Sequence, residues 1–79
     1  MKYRVLVNLK PGVLDVQGKA VEGALKNIDC SNVQDVRVGR LIELDIDESN
    51  EEAAEKLLKD ICAKLLVNPV IENFSYEKV

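Results

Sequence analysis

From Val33 onward the apolar residues fall on even positions (Val36, Val38, Ile42, Leu44 and Ile46), while Asp35, Arg37, Glu43, Asp45 and Asp47 take the odd ones. This is the period of a strand with one buried face, and it passes through Gly39-Arg40 without a slip. A two-residue hairpin centred on Gly39-Arg40 would pair Val38 with Leu41 and set Glu43 and Asp45 beside Val36, burying the wrong set. The pattern therefore favours one long middle strand over residues 33–46, with a three-residue loop at Gly39 as the alternative that keeps the phase. Such a strand would span about 46 Å at ~3.3 Å per residue, against the ~5 to 6 residues of an average strand. In a chain of 79 residues, room for one domain with a thin core, it overhangs anything the chain can supply. A second copy is expected to cover Ile42, Leu44 and Ile46 in the overhanging half. Leu6 and Leu41, on the opposite sheet face, suggest that this face too is partly covered.

The remaining elements follow in order. Tyr3, Val5, Val7 and Leu9 alternate with Lys2, Arg4, Asn8 and Lys10, predicting a half-buried strand over residues 2–10. Pro11-Gly12 punctuates, and Asp15 is placed to cap a helix whose stripe is Val16, Ala20, Val21, Ala24, Leu25 and Ile28, ending near Asn27 or Ile28. Gly18 and Gly23 lie inside that helix, each unfavourable by ~1 kcal/mol against alanine, so either packing overrides propensity or something approaches closely there. Ser49 with Glu52 reads as a capping box for a second helix carrying Ala53, Ala54, Leu57, Leu58, Ile61, Cys62, Leu65 and Leu66, stopped by Asn68-Pro69. Residues 70–79 are β-prone, with Val70, Phe74 and Tyr76 on one face and Ile71 on the other. The expected fold is an α+β plait of order β-α-β-α-β, ferredoxin-like in character. Two helices would lie on one face of a mostly antiparallel sheet, all within a single domain over residues 1–79.

Composition excludes more than it selects. Lysine and arginine total 11 against 14 acidic residues, a net charge of −3, the wrong sign for a phosphate-neutralising surface. With no Trp, one Phe and two Tyr there is no stacking platform for bases; nucleic acid is not an expected partner. Histidine is absent and only Cys30 and Cys62 are present, which removes the commonest general base and transition-metal ligand and leaves no CxxC pair. No apolar run reaches the ~18 residues of a membrane span, and the N-terminus enters a strand directly, so the chain is expected to act in the cytoplasm without a membrane.

Individual residues carry weak signals for chemistry. Lys10-Pro11-Gly12 before a helix could face an anion, but a strand-to-helix connection requires such residues anyway. Arg40 falls on the apolar side of the middle strand, which demands a carboxylate partner or a ligand; a bulge at Gly39 that turns Arg40 to solvent is the alternative. Cys62 belongs to the stripe of helix two and reads as core. The cluster Asp45, Asp47, Glu48, Glu51 and Glu52 lacks the spacing and turn glycine of a calcium loop and reads as a solvated acidic face at a helix start.

Lys10-Pro11-Gly12-Val13-Leu14-Asp15, Gly18-Lys19-Ala20, Val36-Arg37-Val38-Gly39-Arg40, Ile42-Glu43-Leu44, and finally Leu66 with Asn68-Pro69-Val70-Ile71-Glu72 resemble, in order and spacing, the motifs of the PurS family. One departure is Val16, where the family commonly has proline; its loss weakens the helix start slightly. The family comprises the small accessory subunit of phosphoribosylformylglycinamidine synthase, a glutamine-dependent ligase of purine biosynthesis. The resemblance implies a homo-oligomer, dimer or dimer of dimers, that bridges a glutaminase and a synthetase subunit, with a role in ammonia transfer as a further implication. It implies no catalytic residue and no bound cofactor in this chain, ATP, magnesium and glutamine being used by the partners. As interaction or motif residues it marks Lys10, Pro11, Gly12, Asp15, Gly18, Arg37, Gly39, Arg40, Asn68 and Pro69. The rival expectation from the fold class is a stand-alone regulator that binds a small effector at a dimer interface.

Overall fold

A computed structural model describes residues 1–79. Strand β1 (Lys2–Leu9) is followed by α1 (Val16–Lys26), β2 (Arg40–Asp45), α2 (Glu51–Ile61), a one-turn π extension of α2 (Cys62–Leu66) and β3 (Glu72–Lys78). The sheet order is β2-β1-β3, with both pairings antiparallel. The α+β class and the element order are those expected from the residue pattern.

Register follows from alternation. Tyr3, Val5 and Val7 face one side, opposite Leu44, Ile42 and Arg40 on β2 and Lys78, Tyr76 and Phe74 on β3. Against that face α2 and its extension lay Ala54, Leu58 and Cys62, and the buried cluster is completed by Ile46 and Val67, with Ile42 and Leu44 packed on it, so this half of the middle strand is covered within the chain and does not overhang it as the sequence pattern suggested. On the other face Arg4 lies between Glu43 and Glu77, 3.9 and 3.8 Å away, beside the exposed Leu6–Leu41 pair. Asn50, not Ser49, caps α2: its side chain accepts from the Ala53 N–H at 3.1 Å, and Glu48 takes the N–H of Asn50 at 3.1 Å. The cap is one residue later than expected because asparagine performs the task at least as well as serine.

Two features differ from the sequence expectation. The β2 ladder begins at Arg40, so residues 33–39 do not pair as strand within the chain, and no hairpin turns there either. Although β1 runs on to Leu9, the ladder with β2 stops at the Val7–Arg40 pair. The N–H of Val38 bonds instead to Asp15, and Asp35 takes a left-handed φ of 54°. The second difference is that only α2 covers the sheet. In α1 only Gly18 is buried, while Val16, Val21 and the following Ile28 are exposed. Residues 11–39 form an arm that doubles back on itself and extends the chain to 50 × 25 × 14 Å. The radius of gyration is 16.1 Å, against about 12 Å for a compact chain of this length.

Candidate functional site

The ten motif residues gather at two adjoining junctions at one end of the sheet. The first is the root of the arm. Asp15 caps α1 by accepting from the Gly18 N–H at 2.8 Å with one carboxylate oxygen, and its other oxygen accepts from the Val38 N–H at 2.6 Å. The side chain is buried, and these two N–H groups, helped by Arg37, hold its carboxyl below the ordinary aspartate range against the opposing effect of burial. Gly18 has no room for a side chain, because a Cβ there would stand 2.1 Å from the Val36 carbonyl oxygen; the close approach inferred from its place in the helix is this one. Arg37 closes the junction, donating to the carbonyls of Val13 at 3.1 Å and Lys10 at 3.3 Å. Its fork thus fixes the Lys10-Pro11-Gly12 turn, in which Gly12 has φ 87°. Farther along the arm Glu22 accepts from the Asp35 N–H at 2.9 Å, and that bond lowers its pKa.

The second junction surrounds Glu72. Arg40 does stand on the apolar face and finds the carboxylate its position demands: its guanidinium meets Glu72 at 2.5 and 3.0 Å. It also donates to the Leu66 carbonyl, placing a cation at the negative end of α2 and its extension. The β2 register runs unbroken through Arg40, and Gly39 lies close on β1, with a Cβ there 2.6 Å from the Val7 carbonyl oxygen. The same Glu72 accepts from the Asn68 N–H at 2.7 Å. The Arg40 contact and that N–H hold its carboxyl below the ordinary glutamate range, and Glu72 in turn raises Arg40. Asn68 bonds the Val70 N–H at 3.1 Å, and Lys10 reaches the Pro69 carbonyl at 2.8 Å. A shallow cleft of ≈ 210 Å³ runs between the junctions, lined by Asp15, Gln17, Gly39, Arg40 and Glu72 among others.

Lys10, Arg40, Asn68 and Pro69 are thus brought around Glu72, and Lys10, Asp15, Gly18 and Arg37 around the arm root. Pro11 and Gly12 form the connecting turn and Gly39 the crossing point. Sequence reasoning left Glu72, Glu22 and the Leu66 carbonyl out of this set. The demand of Arg40 for a carboxylate pointed toward a carboxylate, but only the β1–β3 register tells Glu72 from Glu77. Chemically, the polar groups here are engaged in holding backbone. Cys62 is fully buried, and burial pushes its thiol up, away from the reactive thiolate.

Residues 2–79 match the family described as "PurS: Phosphoribosylformylglycinamidine (FGAM) synthase". The chain is 47% identical over 76 residues to the phosphoribosylformylglycinamidine synthase subunit PurS of Bacillus subtilis, covering 96% of this chain and 89% of that protein. The chain belongs to the PurS family. The solved Bacillus subtilis PurS structure superposes with a TM-score of 0.86, spanning 96% of this chain and 94% of that one. A chain of the Thermotoga maritima PurLQS structure superposes with a TM-score of 0.90 at 31% identity, over 99% of this chain and 95% of that one. The motif resemblance and the family match therefore agree.

Proposed function

We propose that this chain is the PurS subunit of a phosphoribosylformylglycinamidine synthase, an assembly component without catalytic residues that joins the synthetase and glutaminase subunits. The observation that carries the reading is the match to PurS proteins over nearly its whole length, including a chain of the PurLQS structure. The two junctions agree with it physically, because their charged groups brace backbone and leave none poised as an acid, base or nucleophile pair. In the complex ATP, magnesium and glutamine are handled by the larger subunits, and the reaction is the glutamine-dependent amidation that forms formylglycinamidine ribonucleotide. The chain works as a dimer or a dimer of dimers in the cytoplasm: the open arm, with Val16, Val21 and Ile28 in solvent, is a surface that a second copy buries.

Mixing the purified chain with synthetase and glutaminase subunits tests this directly. A complex that recovers glutamine-dependent activity absent from the pair alone is the expected result. Full activity without the chain, or tight binding of a small metabolite by the isolated chain with no uptake into a complex, refutes the proposal. Glutamine hydrolysis or ATP turnover by the pure chain, above a heat-killed control, would refute its non-catalytic role.

A further inference from the structure

Two apolar surfaces of the chain have no partner, and each suits the other. Helical spacing gathers Val16, Ala20, Val21 and Ala24 on one exposed side of α1, with Lys19, Glu22 and Lys26 lying off it. On α2 the flank carrying Glu51 and Lys59 is turned to β3, where Lys59 stands 6.0 Å over the Tyr76 ring and Glu51 lies 3.9 Å from Lys78. The opposite flank, with Ala53, Leu57 and Ile61, therefore overlooks β2, and Leu57 is 45% exposed there. On that side β2 is the outer strand. A single helix about 10 Å across does not roof three strands ~4.8 Å apart, and Ile42 and Leu44 pack on the core with part of their surface left open.

We propose that α1 of a second copy fills this place, lying along the Ala53-Leu57-Ile61 flank of α2 above β2, while α1 of the first copy does the same on the second. The inference rests on the self-association proposed above and assigns its contact. Area argues for a second copy. The chain exposes 5822 Å², where a compact chain of 8.8 kDa exposes about 4,800 Å², and the excess of about 1,000 Å² matches the ~800 Å² per partner of a standard interface. Both halves of the contact belong to this one sequence, so a two-fold axis makes it twice over. Asp15 and Gln17, at the start of α1, line a cleft with Val7, Arg40 and Glu72 on the face that α2 covers. The helix thus sets out on the correct side of the sheet, and a two-fold axis normal to the sheet at the open edge of β2 keeps it there. Charge agrees: where two chains of net charge −3 meet, both surfaces are free of charged side chains, as interface centres are. Asp15 and Glu22 tie the arm to the N–H groups of Val38 and Asp35, so it is ordered before docking and loses little entropy when it docks.

The test is sedimentation of the full chain across micromolar concentrations, with Val21→Asp and Leu57→Lys as the variants. Each places a charge in both copies of the contact and should raise the dimer dissociation constant at least about tenfold. Val21 and Leu57 are 44% and 45% exposed in one chain, so circular dichroism of the dilute variants should match the parent. The exposed Ala24, on the same stripe, supplies Ala24→Asp in place of Val21→Asp if that chain loses its helical signal. Mixed one to one, the two variants should recover nearly parental affinity, because one contact of the mixed dimer is unaltered and the other sets the new acid against the new amine. A variant that dimerises like the parent overturns the proposal, and if it also fails to join the large subunits, the altered surface belongs to them. Folded variants that do not recover on mixing overturn it as well, since α1 then meets something other than the partner's α2. A parent that stays monomeric fails the self-association itself, and the unsubstituted control tells that case from the others.

Discussion

Gly18 and Gly23 lie five residues apart in α1, and replacing each by alanine should move stability in opposite directions. At Gly23 a Cβ meets nothing within 4 Å, so Gly23→Ala keeps only the helix-propensity gain of about 0.5–1 kcal/mol. At Gly18 the same methyl would sit 2.1 Å from the Val36 carbonyl oxygen, about 1.3 Å short of ordinary contact. Its neighbour is backbone, which cannot rotate aside, and moving residues 36–38 stretches the 2.6 Å bond from the Val38 N–H to Asp15. With a backbone atom this close, the cost falls in the upper part of the overpacking range, about 2–3 kcal/mol, from which the propensity gain subtracts about 1 kcal/mol, leaving a net loss of about 1–2 kcal/mol. For a chain of this size that is a Tm lowered by roughly 4–16 °C, against a rise of roughly 2–8 °C for Gly23→Ala. Thermal and urea melts at one fixed protein concentration read both, since self-association would otherwise shift the midpoints. A Gly18→Ala protein as stable as the parent would refute the claim that the arm is locked at this contact.

Further outcomes follow from the core, the junctions and the open face. Leu58→Ala removes a fully buried side chain packed on β1 and should cost about 2–5 kcal/mol in urea denaturation; a cost under about 1 kcal/mol would mean that α2 is not the cover of the core. The folded pKa of Glu72 is depressed, so its stabilisation is present above the ordinary glutamate range and is lost as pH falls through the depressed value. Glu72→Gln should flatten the acid limb of the stability–pH profile, and an unchanged limb would remove Glu72 from that role. With Ellman's reagent, the partly exposed Cys30 should react quickly in the native state and Cys62 only at the rate of unfolding, whereas two fast thiols would contradict the burial of Cys62. Ile42→Asp sets a charge opposite Val5 against the chain's own buried cluster and should unfold the protein in circular dichroism, whereas a variant as folded as the parent would contradict that packing.

Local pattern carried most of this fold, because β1, α2 and the Asp15 cap depend on residues near one another in sequence. The position of Arg40 on an apolar face implied a carboxylate, and Glu72 is there. Sequence could not show that α1 leaves the sheet, since the apolar stripe that would pack on a sheet looks the same as one left open for another chain. The even-numbered phase of residues 33–46 was likewise real but did not reveal where pairing stops. That limit is set where Asp15 takes over the Val38 N–H, a relation across the fold. The two junctions join residues up to 62 apart in sequence, Lys10 to Glu72 at the extremes, and no spacing rule connects them.

The sheet order β2-β1-β3 has a consequence for how the protein comes to exist in the cell. Its central strand is made before either neighbour, and one of them, Glu72–Lys78, follows it by more than sixty residues of chain. At ~5–20 residues per second, β1 waits about 4–14 s with an unpaired edge. The sheet can close only once β3 has been made, long after β1. Through that interval the open backbone edge of β1, carrying the apolar side chains of Tyr3, Val5 and Val7, is a template for pairing with any neighbouring nascent chain. The basic residues Lys2, Arg4 and Lys10 interleaved with and flanking it are then the local means of keeping such chains apart until β3 arrives.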